Sequence, residues 1–167
     1  IPRGNWQETV LPKARALEAE LRAAGIRVML DARDSYTPGW KFAEWELRGV
    51  PVRLELGPKD IEKGACAVAR RDVPGKEGKT FGIPLTGAAG HIANLLRDIQ
   101  QALFDRAKKY RDANVATANT LDEFKALFPT EKEGEGGTAG GLKFVYAHWD
   151  GTRETEDRVQ AEYKATI

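Results

Sequence analysis

The chain has 167 residues, enough to bury one sizeable core with a small appendage. Charged residues make up 31% of it and the hydrophobic set 41%, a balance that excludes a disordered tail. A formal net charge of +1 excludes a global field for nucleic acid, so any anion-binding surface has to come from charge segregated locally.

In chain order, Asn5 with Glu8 predicts the cap of a helix that continues as "TVLPKARALEAELRAAG". Val10, Ala14, Leu17 and Leu21 share one face of it, and Gly25 stops it. "IRVMLD" then reads as a strand. Asp34 to Gly39 reads as a loop, because Ser35, Thr37, Pro38 and Gly39 punctuate it. A short helix follows from Trp40 to Arg48 and ends at Gly49. "PVRLELG" alternates, with Val52, Leu54 and Leu56 on one face and Arg53 and Glu55 on the other, which predicts a half-buried strand with a charged open face. "ACAVARR" and "TFGIPL" are two more strands, joined by "DVPGKEGK". A long helix runs from Ala88 to Asp112 with Ile92, Leu95, Leu96, Ile99, Leu103 and Tyr110 on its inner stripe.

This alternation predicts an α/β domain over residues 1–115, a mixed β-sheet flanked by helices. Residues 116–167 predict a small α+β appendage. Thr120 caps the short helix "TLDEFKALF", residues 129–141 form a Gly/Glu-rich spacer too polar to bury, and one strand and one helix follow in "LKFVYAHWDGTRETEDRVQAEYKATI". The sequence shows no internal repeat.

The sequence holds no run of about eighteen apolar residues and no charged-then-apolar leader, so neither a membrane-spanning nor a secreted chain is expected. Cys66, the single cysteine, lies in "ACAVA" and reads as a buried, inert thiol in a reducing, cytoplasmic setting. The start "IPRGNW" lacks an initiator Met, and a piece of something longer is expected.

Catalysis finds no foothold. His91 opens a helix and His148 ends a strand, and no nucleophile elbow, phosphate-binding loop or paired-histidine zinc motif is present. Asp31 and Asp34 could be written as acid and base, but an Asp beside Arg33 at a strand end is ordinarily a turn-capping feature.

The run "GWKFAEWELRGVPVRLELGPKD" combines aromatic rings with charge. On a helix, Phe42 and Glu46 project side by side at i and i+4. A ring beside a carboxylate can read an unstacked base, and guanine fits best because its Watson–Crick edge offers an N–H and an amino group together. Arg53 and Lys59 can hold phosphates or base acceptors, and Asp60 is a second candidate guanine reader. The plainer alternative is a well-packed helix and strand, with Trp40 and Trp45 as core aromatics and Glu44–Arg48 as an i,i+4 surface pair. The residues alone leave both open.

"RDSYTPGWKFAEWELRGVPVRLELGPKD" together with "IPRGNWQETVLPKARALEAELRAAGIRVMLD" resembles the anticodon-binding domain of the class II prolyl-tRNA synthetase family, of the archaeal/eukaryotic-like type also found in some bacteria. The resemblance extends to about Phe128, and the tail is similar to the start of that family's C-terminal domain. It implies that Phe42, Glu46, Arg53, Lys59 and Asp60 face a proline anticodon, whose second and third letters are both guanine. The implied partners are the anticodon loop of tRNA(Pro) and an upstream catalytic domain of the same polypeptide, in a parent homodimer. That upstream domain would activate proline with ATP and Mg and transfer it to tRNA, so no cofactor is expected in these residues.

The chain also departs from the family. Its members often bind a structural zinc in the C-terminal domain through four cysteines, and Asp150 and Thr155 stand here where the first pair is expected. No Cys₄ zinc site is therefore expected, and Ile167 does not match the family's C-terminal tyrosine. A stand-alone RNA-binding or regulatory relative, and an unrelated small α/β enzyme, are the competing readings.

Overall fold

The computed structural model describes residues 4–128 and 144–167, so the spacer expected at 129–141 lies outside the described residues. The chain divides into two compact units, one up to Phe104 and one from Asp105 onwards.

The first unit begins with α1 (Trp6–Thr9) and α2 (Leu11–Ala23) rather than the single helix the pattern predicts. Pro12, in the first turn of α2, has no N–H to continue the ladder, so the helix breaks at Val10. The expected Asn5 cap does not form. Its side chain donates to Glu8 Oε2 at 2.5 Å instead of accepting from the backbone. The inner face is as expected, with Val10 and Leu21 buried and Ala14 and Leu17 packed against the same core. Gly25 closes α2 at φ +79°, a left-handed angle that glycine adopts without steric cost.

The strand expected at "IRVMLD" is corrected: this stretch carries no strand pairing. Ile26 and Val28 pack on the core, but Met29 is 69% exposed and the Val28 carbonyl accepts from the Arg22 guanidinium at 2.8 Å. An apolar cleft of about 450 Å³, lined among others by Val28, Leu30, Val52 and Leu54, opens between this segment and the next strand. The segment runs outside any ladder, because strand propensity becomes a strand only where a partner edge pairs with it.

α3 (Pro38–Leu47) starts where Thr37 Oγ1 accepts from the Trp40 N–H, and Pro38 fills the first helical position, where no N–H is needed. It ends at Gly49, φ +81°, whose N–H reaches the Glu46 carbonyl. β1 (Val52–Glu55), the short α4 (Pro58–Glu62), β2 (Ala65–Arg70) and β3 (Lys79–Pro84) follow, and the strands form one antiparallel sheet in the order β1-β2-β3. In the turn between β2 and β3, a Cβ on Gly78 would lie 2.0 Å from the Val73 carbonyl oxygen, so that position admits only glycine.

Leu56, Cys66, Val68 and Ile92 join Val10 and Leu21 in the core. Cys66 is wholly buried, and burial, with the neighbouring Asp60 charge as a smaller cause, pushes its thiol above the ordinary range.

α5 (Ala88–Ala113) faces this core with Ile92, Leu95 and Leu96, and Ile99 is also buried. The predicted stripe does not stay covered along its length: Leu103 is 37% and Tyr110 66% exposed. A helix of this length runs about 39 Å, whereas strands of four to six residues span at most about 20 Å. Helical periodicity continues past the end of the surface that rewards it.

In the second unit, β4 (Val115–Ala118) and β5 (Phe144–Ala147) pair in parallel, and α6 (Leu121–Leu127) and α7 (Arg153–Tyr163) complete it. Thr120 caps α6 as expected. Its hydroxyl accepts from the Glu123 N–H while the Glu123 carboxylate accepts from the Thr120 N–H, a reciprocal pair. Phe124 meets the Tyr163 ring edge-on at 5.7 Å. Asp150 and Thr155, which the resemblance expects to stand in place of zinc-ligand cysteines, are bonded to each other: Thr155 Oγ1 donates to Asp150 Oδ2 at 2.6 Å. The α/β class is borne out, with strands in both senses divided among the described residues between two small sheets: β1, β2 and β3 pair antiparallel in the first, and the parallel pair is β4–β5 in the second. No described helix is long and apolar enough to cross a membrane.

Candidate nucleic-acid interface

The register of the first sheet builds the centre of the site. Arg53 lies opposite Ala69, and Ala69 lies opposite Lys79, so a row across the sheet reads arginine, alanine, lysine. Ala69 and Ala67 are too small to separate the long cations from Glu55, which pairs across from Ala67. Arg53 Nε donates to Glu55 Oε1 at 3.1 Å and Lys79 Nζ to Glu55 Oε2 at 2.7 Å. The Glu55 side chain is only 4% exposed. The charged open face expected of β1 is therefore corrected: its carboxylate is buried and paired from both sides.

Three of the five residues singled out in the sequence meet around Arg53. Phe42 and Glu46 share a face of α3 as expected, and the Arg53 guanidinium carbon lies 3.9 Å from the Phe42 ring centroid. The same guanidinium donates to Glu46 Oε1 at 2.6 Å. One face of Phe42 is thus taken by a planar cation. Glu46 remains 55% exposed, and no described residue donates to its Oε2. The helix end carrying Glu46 is tied down by Arg71, whose Nε donates to the Glu46 carbonyl at 2.9 Å.

Lys59 and Asp60 stand on α4, apart from the bonds that join Phe42, Glu46 and Arg53. Lys59 is exposed, with no described partner for its ammonium. Asp60 is half-buried, and its Oδ2 accepts from the Gly57 N–H at 2.9 Å, so one oxygen is already engaged in the helix start.

A second charged cluster centres on Asp31 and Arg33, which the sequence offered only as a turn-capping feature: the Arg33 N–H does donate to Asp31 Oδ1 at 3.2 Å, but the side chains reach further. Arg33 reaches Asp31 Oδ2 and Glu44 Oε2, each at 2.6 Å, and Trp45 Nε1 donates to Asp31 Oδ2 at 2.9 Å. Lys41 is buried, with its ammonium 3.6 Å from Asp31 and bonded to the Arg33 carbonyl. These bonds clamp the extended stretch before α3 onto the helix, which is how an unpaired segment keeps its place. Asp31 and Arg33 point the same way along extended chain, two residues apart, and that spacing was the available signal.

Two expectations for α3 change as a result. Trp45 does pin the helix, but through Asp31 rather than through the sheet. Trp40 is no core residue: it is 47% exposed and stacks on Tyr36 with ring centroids 4.1 Å apart. One residue is about 100° of helix, so Lys41 and Trp45 turn inward together and Trp40 cannot. Glu44 and Arg48 do pair at 2.7 Å, but Glu44 is 16% exposed and also holds Arg33, so it belongs to the clamp.

The Arg33 guanidinium is the first cause that holds the Asp31 carboxyl well below the usual carboxylate range; burial opposes it, and Trp45 adds to it. A depressed folded-state pKa contributes stability above the unfolded value of about 3.9, lost as pH falls toward the folded value. The stability gap between wild type and Asp31→Asn is expected to be constant from neutral pH to about pH 5 and to shrink below about pH 4. Urea midpoints across that range check it; a gap that widens in acid would reverse the sign.

Residues 1–95 match the family described as "Anticodon binding domain". The chain is 44% identical over 168 residues to a protein named proline–tRNA ligase from Roseiflexus castenholzii, covering 100% of this chain and 32% of that protein. It is 46% identical over 167 residues to the proline–tRNA ligase of Rubrobacter xylanophilus, again 100% and 32%. It is 46% identical over 155 residues to that of Porphyromonas gingivalis, 93% and 28%. The chain spans about a third of the length of these relatives.

Proposed function

This chain belongs to the anticodon binding domain family, and from that premise we propose that it is the tRNA-recognising part of a proline–tRNA ligase that reads the guanines of the proline anticodon. The observation that carries the proposal is the contact of Phe42, Arg53 and Glu46: a ring, a planar cation and an exposed carboxylate held together on one surface. Glu46, whose Oε1 accepts from Arg53 and whose Oε2 has no described donor, keeps acceptor capacity for the donors of a guanine edge. A base can stack against the Phe42–Arg53 pair, because both components present flat faces. Lys59 supplies an exposed cation for the backbone, and the Asp60 oxygen that has no donor among the described residues can accept from a second guanine.

In this proposal the ligation of proline with ATP and Mg is the work of an upstream class II domain of the same polypeptide. No residue of this chain is assigned to hold either. The parent enzyme is proposed to be a cytoplasmic homodimer, on the strength of the family resemblance alone.

The test is a binding series with proline anticodon stem-loops carrying guanine or adenine at the second and third letters. The double-guanine loop is expected to bind more tightly than either single replacement, and the double-adenine loop most weakly. Equal affinity across the series would overturn the proposal.

A further inference from the structure

We propose that Tyr36 and Trp40 form a second stacking platform, which takes an unpaired nucleobase of the same RNA loop beside the guanines and accepts any base. This rests on the reading of the α3 surface as an anticodon-binding face. The two rings are 4.1 Å apart and within 13° of parallel, yet they are 41% and 47% exposed. Large aromatics held flat against each other in the open present π-faces to the solvent, and every base has a π-face of its own.

The position of Arg33 shows which surfaces are open. Its guanidinium carbon lies 5.0 Å from the Tyr36 centroid and 5.6 Å from that of Trp40. With the centroids only 4.1 Å apart, a cation on the outer face of one ring would be much farther from the other. Arg33 therefore sits alongside the stack, and the outer faces stay clear of it. Its charge is also spent, because Asp31 and Glu44 both bind it. A platform with a neutralised cation favours a base over a phosphate.

The pair is fixed before any ligand arrives. Thr37, between the two rings in sequence, caps α3 and bonds the Trp40 N–H. Around α3 the surface runs from the half-buried Phe42 and the exposed Glu46 through Ala43 and Leu47, the latter 88% exposed, to Trp40. The platform is thus continuous with the guanine-reading cluster and lies across one helix width, about 10–12 Å, from it.

The experiment uses the whole chain and proline anticodon stem-loops carrying 2-aminopurine, in turn, on either side of the two guanines. One of these probes is expected to be quenched on binding. Trp40→Ala is expected to abolish that quench and weaken binding about tenfold, the worth of one base–aromatic stack. Trp40→Phe should retain both. The guanine-over-adenine ratio and the salt slope should not change, since no edge or phosphate contact is lost. Unchanged urea midpoints in Trp40→Ala and Tyr36→Ala would show that the fold is intact.

Full affinity and full quenching in both alanine variants would overturn the platform, while a surviving guanine preference would leave the anticodon reading standing. A flattened salt slope would instead make this a phosphate contact and overturn it. So would loss of self-association by Trp40→Ala with RNA binding untouched, which would assign the rings to a protein partner. Absence of guanine preference in wild type, with a Trp40-dependent quench, would sink the anticodon reading and keep the platform.

Discussion

Arg53→Ala is expected to lower folding stability by about 2–3 kcal/mol, below the usual cost of breaking a buried pair because Lys79 still holds the other oxygen of Glu55. The side chain does three things at once: it pairs with the buried Glu55, lies over Phe42 and orients Glu46. Its removal leaves one oxygen of a 4% exposed carboxylate without its donor. Glu55→Gln in the same background is expected to recover part of the loss, since a buried amide costs less than a half-paired carboxylate and Lys79, 27% exposed, can turn to water. Urea unfolding of both single variants and the double variant closes the cycle. A midpoint unchanged in Arg53→Ala would mean that Lys79 alone satisfies Glu55. Stem-loop binding should fall in the same variant at a urea-free temperature where it remains folded, because Phe42 and Glu46 lose the group that holds them together.

Glu46→Gln is expected to leave the fold intact and narrow the preference for guanine over adenine, at a cost of about 1–3 kcal/mol for the cognate loop. A carboxylate accepts from both guanine donors, whereas an amide presents one acceptor and one donor and sets an N–H against an N–H. The side chain is 55% exposed, so the change creates no buried unsatisfied group. Asp60→Asn tests the second carboxylate, but with a structural component, because Asp60 also accepts from the Gly57 N–H. Its urea midpoint has to be read beside its binding. Phe42→Ala should weaken every loop by about 1–3 kcal/mol without changing the ratio, since stacking ignores base identity. Unchanged discrimination in both carboxylate variants would return this stretch to a helix and a strand that merely pack well.

What could be read in advance depended on how locally each feature is determined. Thr120 and Glu123 cap each other across three residues, so the motif and the bond coincide. Gly49 ends α3 because its left-handed backbone is a property of that residue. Pro12 carried an equally local signal, and the break it imposes at Val10 follows from its missing N–H. The pairing of Phe42 with Glu46 came from helical spacing alone.

The sequence by itself thus determined the stops of α2 and α3, the cap of α6, the alternation of β1, the buried thiol, and the face on which Phe42 and Glu46 project. Only the tertiary structure decided which neighbours those elements found. "IRVMLD" has strand propensity, but a ladder needs a second edge, and no strand of the first sheet pairs with it. Alternation put Arg53 and Glu55 on one face of β1, but the register with β2 and β3 brought Lys79 to Glu55 and closed that face. Trp40 and Trp45 are alike in composition. The Asp31–Arg33 clamp drew one inward and left the other stacked in the open, since burial is set by what lies opposite a side chain and not by its own hydrophobicity.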